Sequence, residues 1–409
     1  MVQLCSVHWP EQGTVLDFVG NVKKRIAKYL EYSDVYLIFY RYHNFSIKSV
    51  TRSGRETGVT RVHQLNRKTK LPSQKVGLTV VKNKQQLMSI ICEELVEDRL
   101  FHASLSGHRL VVTGDDPCPI EVSDEGEVIL TRHDLKTAHE EADIIIVQQV
   151  LKAASEERRM TVVCDDTDVF VLLLYHYQRA GLNIPLYMES PNRGRTVTDI
   201  RTVQKHSAII ENLLPAHALS GCDTVACYYG IGKTTVVKEL ERNHDLSGIG
   251  DLDMEFENVL TQATAFISAC YGVKSDSMSE TRLHVWGTKN GKGKFSSPKL
   301  CSLPPTTEAF TENVKRAHFQ ATIWRNIQHD PPEADIEEFG WRKEDKDLSL
   351  SPVATPEGVK CAPDYILNLI RCGCKSENPC STKRCSCRPH GTKCTVFCAC
   401  FSIGCARLQ

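Results

Sequence analysis

Nine cysteines crowd the last 38 residues of this 409-residue chain, at a spacing that suits metal chemistry. They are Cys372, Cys374, Cys380, Cys385, Cys387, Cys394, Cys398, Cys400 and Cys405. Structural zinc takes four ligands, and thiolates bind it at about 2.3 Å. Six terminal and three bridging sulfurs supply the twelve bonds that three ions need. We therefore predict three zinc ions, with the metal in place of an apolar core.

A disulfide framework is the alternative for this segment, and the sequence disfavours it. Nine is an odd number, and we find neither a secretory signal nor an apolar run long enough to span a bilayer. The nine cysteines elsewhere in the chain fit a reducing compartment. We expect a protein that is not secreted, has no membrane partner and resides in the nucleus.

Positive charge is concentrated in two blocks of a chain whose formal net charge is zero. From Arg371 to Gln409 there are seven Lys or Arg residues and one acid, and from Arg41 to Lys84 there are eleven and one. Phosphate contacts are made mainly by Lys and Arg, so these blocks predict DNA as the partner. The alternative is that both blocks are only solvated surfaces. For the block from Arg371 to Gln409 this alternative has the same weight as DNA binding. The predicted contacts between the zinc ligands are Lys383, Arg384, Arg388 and Lys393.

Acidic residues cluster where predicted strands end. Alternating strand and helix patterns before residue 180 indicate an α/β domain with a mainly parallel sheet, and helices predominate afterwards. Ligands bind at the carboxyl ends of such strands. The candidate carboxylates there are Glu141, Asp143, Asp166, Asp168 and Asp223. Oxygen ligands of this kind suit Mg²⁺ or Mn²⁺, and two such ions can stabilise a phosphodiester displacement. The alternative is that the acids simply favour helix N-termini.

The turn from Tyr229 to Lys233 reads Tyr-Gly-Ile-Gly-Lys. A Walker A loop would need glycine at position 227, and that residue is Cys227. We predict instead a helical hairpin in which Gly230, Gly232 and Lys233 face a DNA phosphate.

Composition divides the chain into three parts. We predict a large domain over residues 1–328, a linker rich in Pro, Glu, Asp and Lys over 329–370, and the cysteine-rich module over 371–405.

The cysteine spacing resembles the tesmin/TSO1-like CXC domain, a DNA-binding module with three zinc ions and nine cysteines. The resemblance covers residues 372–405. The order of the acidic motifs resembles the flap-endonuclease branch of the PIN-like nucleases. That likeness implies a PIN-like parallel sheet flanked by helices, with Glu141 and Asp143 in the first metal-binding motif, Asp166 and Asp168 in the second, and Asp223 in the third. Together the motifs resemble transposon-associated PIN-like proteins of animal genomes.

Two departures from that family concern catalysis. Relatives place Asp at the end of the strand before an Arg-Tyr pair, where this chain has Tyr40, and they carry another Asp on a first strand that is not evident here. Tyrosine is a poor Mg²⁺ ligand because its hydroxyl stays protonated at neutral pH. We therefore predict a nuclease-derived DNA-binding protein with little or no cleavage.

Two other functions stay open at this point. An active Mg²⁺- or Mn²⁺-dependent nuclease requires Asp165 or Glu140 to replace the missing ligands. A protein-interaction platform without affinity for nucleic acid is disfavoured by the basic residues between the zinc ligands.

Overall fold

A computed structural model gives the architecture of most of the chain. It describes residues 7–41, 47–48, 61–123, 129–192, 194–203, 207–290, 299–344, 349–359, 371–375, 378, 380–382, 384–389, 391, 393–394, 398–400 and 405. The chain divides into two compact units, Met1–Thr355 and Pro356–Gln409.

The first unit is an α/β structure in which strands and helices alternate before helices take over. Its helices are α1 (Val15–Leu30), α2 (Gln74–Thr79), α3 (Val81–Glu97), α4 (Arg99–His102), α5 (Ala142–Ala153), α6 (Thr167–Arg179), α7 (Ile200–Val203), α8 (Ser207–Leu219), α9 (Lys233–Leu240), α10 (Phe256–Cys270), α11 (Met278–Asn290) and α12 (Thr307–Arg325). Its strands are β1 (Val35–Ile38), β2 (Leu110–Thr113), β3 (Ile120–Val122), β4 (Ile129–Thr131), β5 (Met160–Val163), β6 (Leu186–Glu189), β7 (Thr198–Asp199), β8 (Trp341–Lys343) and β9 (Leu350–Pro352). The α/β class predicted from the sequence is confirmed.

The strands form mixed sheets rather than one mainly parallel sheet. Among the described residues the sheet orders are β1-β2-β3-β4, β5-β6-β7 and β8-β9. Only β1 with β2 and β5 with β6 pair in parallel. The edges of β1 and β5 do not bond to each other; they line a common cavity of about 900 Å³ with residues of α1 and α5. The predicted parallel arrangement therefore holds only for two separate strand pairs.

Helix α1 shows how local sequence fixes an element. Thr14 caps it, because its hydroxyl accepts a hydrogen bond from the Asp17 amide while Asp17 Oδ2 accepts one from the Thr14 amide. Buried side chains recur at helical spacing along one face, namely Val15, Phe18, Val19, Val22, Ile26 and Leu30. That amphipathic pattern predicts the helix with the bounds observed.

Two apolar cores hold the first unit together. One joins α1 and α3 to β1 and β2, and it includes Val22, Ile91 and Leu110. The other joins α5 and α6 to the later helices, and it includes Ile145 and Phe266. None of the helices in the described part of the chain combines the length and apolar character needed to span a membrane.

The first unit extends beyond the predicted boundary at residue 328. Strand β8 pairs with β9, and Trp341 is buried. Arg316 of α12 donates to the carbonyls of Gly340 and Val353, at 2.7 and 2.9 Å. Part of the predicted linker over 329–370 thus packs onto α12, and the side chains of Trp341 and Leu350 are buried despite the charged residues around them.

Two buried histidines of the first unit should make it sensitive to acid. His176 Nε2 contacts the Trp324 carbonyl at 2.8 Å, and His318 Nδ1 accepts from the Gly250 amide at 3.0 Å. Burial lowers the pKa of each to about 4. The unfolded state, with an ordinary pKa near 6.5, therefore binds protons more tightly, so stability present above pH 6.5 is lost as the pH falls toward 4.

We expect each of these histidines to cost about 2 kcal/mol of unfolding free energy between pH 7 and pH 5. Urea denaturation followed by tryptophan fluorescence measures this loss, because all four tryptophans precede residue 355. His318→Gln should reduce the loss by about 2 kcal/mol, whereas the same change at exposed His8 should leave it unaltered. Equal stability at both pH values would contradict the prediction.

Candidate metal centre and candidate acidic site

Cysteine side chains form the interior of the described part of the second unit. Among its described residues the buried cluster consists of Cys372, Cys380, Cys385, Cys387, Cys394, Cys398, Cys400 and Cys405, with Cys374 packed against it. A core made of sulfur atoms has little apolar surface to stabilise it, so its cohesion must come from bonds that the sulfurs make. All nine cysteines predicted to be ligands are thus brought together.

The distances between these sulfurs fit tetrahedral zinc. A site with Zn–S bonds of about 2.3 Å places its sulfurs about 3.8 Å apart. Five Sγ–Sγ pairs lie 3.4 to 3.9 Å apart, including Cys372 with Cys380, Cys394 and Cys400. A disulfide would require about 2.05 Å. The cluster can therefore bind a metal such as zinc.

Some sulfurs belong to more than one candidate tetrahedron. Three sets of four cysteines have all their Sγ atoms within 4.8 Å of one another, and Cys372 is common to the three. Cys380, Cys385 and Cys394 each belong to two sets. A sulfur that belongs to two or more sets is in the position that a bridging ligand requires. Burial would raise the pKa of the Cys385 thiol, but the amides of Cys387 and Arg388 donate to it and lower the pKa to about 6.

The exposed charges of the module are basic in its described part. Arg371, Lys375, Arg384, Arg388 and Lys393 are all exposed. Arg388 is tied to the module by a hydrogen bond to the Ser381 carbonyl. The predicted contact Lys383 lies outside the described residues.

The predicted carboxylates lie at the N-termini of two helices. Glu141 is the N-cap residue of α5, and Asp143 lies in its first turn. Asp166 caps α6, accepting from the Asp168 amide at 3.0 Å, and Asp168 lies in the first turn. The local geometry is therefore the one that favours negative charge at helix N-termini. Glu141 and Asp143 are buried, whereas Asp166 and Asp168 are partly exposed.

Two side chains from the N-terminal region enter this acidic cluster. Lys48 Nζ lies 3.0 Å from Glu141 Oε2 and 3.2 Å from Asp143 Oδ2. The Tyr40 hydroxyl donates to Asp143 Oδ2 at 2.5 Å. Tyr40 thus stands beside the carboxylates, as its place after β1 predicts, but as a hydrogen-bond donor.

Electrostatic effects within the cluster are mutual. Burial by itself would lower the pKa of Lys48, but Glu141, Tyr40 and Asp143 raise it well above its ordinary value. Burial and the charge of Asp143 raise the pKa of Asp166 to about 6. Burial also raises the pKa of Glu141, against the opposing effect of Lys48. The tyrosine is uncharged, because burial and the charge of Asp143 raise its pKa well above 10.

Asp168 pairs with a histidine that the sequence analysis did not identify. His217 Nε2 lies 2.8 Å from Asp168 Oδ1, and His217 stacks on Trp324 with ring centroids 5.7 Å apart. Burial would raise the pKa of Asp168, but the hydrogen bond and charge of His217 bring it below its ordinary value. The signal in the sequence is that His217 lies one helical turn before the Gly221 to Asp223 motif.

The remaining predicted acids do not complete a metal site. Asp165 accepts from Ser190 Oγ and Asn192 Nδ2, both at 2.9 Å, so it is directed toward the end of β6. Asp223 is exposed in the turn after α8. In the described part of the chain, only cysteines bring three or more candidate ligand atoms within 4.8 Å of one another. Binding of a divalent ion at these carboxylates stays a prediction.

The glycine-rich turn precedes α9 as predicted, but its lysine is engaged elsewhere. Gly230 and Gly232 are exposed. Lys233 Nζ donates to the carbonyls of His217 and Gly221 and to Ser220 Oγ, at 2.7 to 3.1 Å. Lys233 therefore caps the C-terminus of α8, where cations are favourable. A role of the two glycines at a phosphate stays a prediction.

Glycine is required at the start of the motif that carries Asp223. Gly221 has φ +115°, and a Cβ atom there would lie 2.7 Å from Cys227 Cα. The sequence Gly-Cys-Asp thus encodes a tight turn whatever the role of the acid.

Comparisons with models of known protein families, with curated proteins and with solved structures found no match.

Proposed function

We propose that this chain is a nuclease-derived DNA-binding protein of mobile-element origin. Its zinc module would make the main DNA contacts, and its acidic site would be too incomplete for efficient cleavage. The observation that carries the proposal is the cluster of nine cysteines, in which five sulfur pairs lie 3.4 to 3.9 Å apart, together with the exposed basic side chains of the module. Three bound zinc ions and nuclear localisation belong to this proposal.

Charge supports DNA as the partner of the module. Zinc holds the loops between its ligands in place, so basic side chains on them are presented with little conformational freedom. Arg384 and Arg388 lie in sequence on either side of the buried Cys385 and Cys387, and both are exposed. Contacts of this type bind the phosphate backbone and are insensitive to base sequence.

DNA binding should depend strongly on salt concentration. With roughly four to six phosphate contacts, the slope of log K against log salt concentration should be about −4 to −5. Arg384→Ala and Arg388→Ala should each flatten the slope by about one unit. Fluorescence anisotropy with a labelled duplex at several salt concentrations measures it.

The control for this series is a charge change in the first unit, Arg242→Ala, at an exposed arginine whose guanidinium pairs with Glu239. That change should leave the slope unaltered. A slope near zero for the parent chain would reject electrostatic DNA binding and favour the protein-interaction function.

An active Mg²⁺- or Mn²⁺-dependent nuclease is the second candidate. The gathering of four carboxylates at the N-termini of α5 and α6 favours it. Against it, Asp165 accepts hydrogen bonds from Ser190 and Asn192, so one of the two substitute ligands named for this function is directed elsewhere.

A further inference from the structure

The acidic cluster contains a cation that the chain itself supplies. Lys48 Nζ lies within 3.2 Å of both Glu141 Oε2 and Asp143 Oδ2, and its side chain is only 5% exposed. We propose that Lys48 is the resident cation of this cluster, and that a divalent ion binds between Glu141 and Asp143 only when the Lys48 side chain has left.

Burial makes this pairing obligatory. An ammonium group removed from water costs several kcal/mol unless carboxylates or other acceptors compensate it. Glu141 and Asp143 are themselves buried, with side chains 10% and 2% exposed, so they need a positive partner equally. Lys48 neutralises one of the two charges and lies over the ring of Tyr40, 5.8 Å from its centroid.

The lysine and a metal ion would need the same space. Mg²⁺ binds carboxylate oxygens at about 2.0 to 2.1 Å, so an ion bridging Glu141 and Asp143 would lie between their oxygens. Lys48 Nζ stands at 3.0 and 3.2 Å from those two carboxylates, in that intervening position. The carboxylates would have to close around an ion, and they cannot do so while the ammonium separates them.

The cluster is under-coordinated with lysine in place. Asp143 Oδ2 accepts hydrogen bonds from the Tyr40 hydroxyl and from the Lys48 ammonium, whereas buried Asp143 Oδ1 has no hydrogen-bond partner. Glu141 Oε2 is compensated by the Lys48 ammonium, 3.0 Å away. A buried oxygen without a donor is unfavourable, so a doubly charged ion would gain from Asp143 Oδ1, and from Glu141 Oε2 once the lysine had moved away.

This inference deepens the acidic-site part of the proposed function and rests on it only for the class of competing ion. It makes no use of DNA binding. Its test therefore measures ion binding alone, and a failure of DNA binding would not affect the outcome.

The test is a Mn²⁺ titration of the zinc-loaded full chain, with free Mn²⁺ measured by electron paramagnetic resonance. Thiolate sites prefer zinc to Mn²⁺, so the module should not interfere. Lys48→Met removes the charge and preserves most of the volume. It should tighten Mn²⁺ binding by roughly tenfold or more, since one charge within about 4 to 6 Å shifts an ionic equilibrium by one to three logarithmic units.

Two control variants separate charge from packing. Lys48→Arg keeps the positive charge and should bind Mn²⁺ as weakly as the parent. Lys48→Met combined with Glu141→Gln removes one charge of each sign and should also bind weakly. Thermal melting supplies a second readout: Lys48→Met should melt lower than the parent without Mn²⁺ and should gain more from its addition.

The opposite results would overturn the proposal. They are equal Mn²⁺ affinities for the parent and Lys48→Met, or tight stoichiometric binding by the parent that Asp143→Asn abolishes. If Lys48→Met is unstable, the parent compared with Asp143→Asn still decides the question, because tight binding that is lost in Asp143→Asn overturns the proposal.

Discussion

Removing zinc is expected to unfold residues 371–405 while the first unit stays folded. The buried side chains described in this module are cysteines, so without metal the described part of the module has no apolar core to hold it. Structural zinc in small domains contributes about 10 to 16 kcal/mol of binding free energy at neutral pH, which is folding free energy when the site does not exist beforehand. Native mass spectrometry should show three zinc ions before chelation and none afterwards.

A single substitution should also unfold the cysteine-rich module. Cys385→Ser removes a sulfur that belongs to two of the three candidate sets. We expect fewer bound zinc ions and exposure of the module to proteolysis, with unchanged tryptophan fluorescence from the first unit. The control is Cys301→Ser, at an exposed cysteine of the first unit. A single zinc ion, or intact disulfides, would refute the three-ion proposal.

Cleavage of flap, nicked and single-stranded DNA is expected to be absent or barely detectable with either Mg²⁺ or Mn²⁺. Two ions stabilise both the attacking and the leaving oxygen in such reactions. In this chain the Tyr40 hydroxyl donates to Asp143, Lys48 neutralises one charge of the buried pair Glu141 and Asp143, and His217 pairs with Asp168. Without one of the two ions, the activation barrier of the displacement rises by several kcal/mol, which slows cleavage by a factor of about a thousand or more.

Tyr40→Asp tests the reason for this weakness. The change adds a carboxylate where the hydroxyl now donates to Asp143, so Mn²⁺ binding should tighten, and should tighten further when it is combined with Lys48→Met. Tyr40→Phe, which removes only the hydroxyl, is the matched control and should not tighten binding. Robust turnover by the parent chain, lost on Asp168→Ala, would instead establish the active nuclease.

The helices of the first unit were largely predictable because their signals are local. Periodic apolar residues place α1 within its observed bounds, and strand runs identify β1, β2 and β5. The short strands β3, β4 and β7 were not predicted. A strand of two or three residues has too little periodicity to stand out from a loop, and it forms because a neighbouring strand offers hydrogen bonds.

The packing of residues 336–344 and 349–353 was also hidden from the sequence. Its many charged residues resemble a linker, yet Arg316 binds the carbonyls of Gly340 and Val353 from 24 and 37 residues away. The composition of a segment shows how polar it is. It does not show which distant side chain can donate hydrogen bonds to the backbone carbonyls of that segment.

By itself the sequence determined the metal-binding character of the C-terminus, because nine ligands lie within 34 consecutive residues and a tetrahedral metal needs little else to gather them. It also located the acids at helix N-termini. Only the tertiary structure decided what those acids contact. Lys48 lies 95 residues from Asp143, Tyr40 lies 103 residues from it, and His217 lies 49 residues from Asp168. Contacts over such separations depend on how whole elements pack, and no local spacing encodes them.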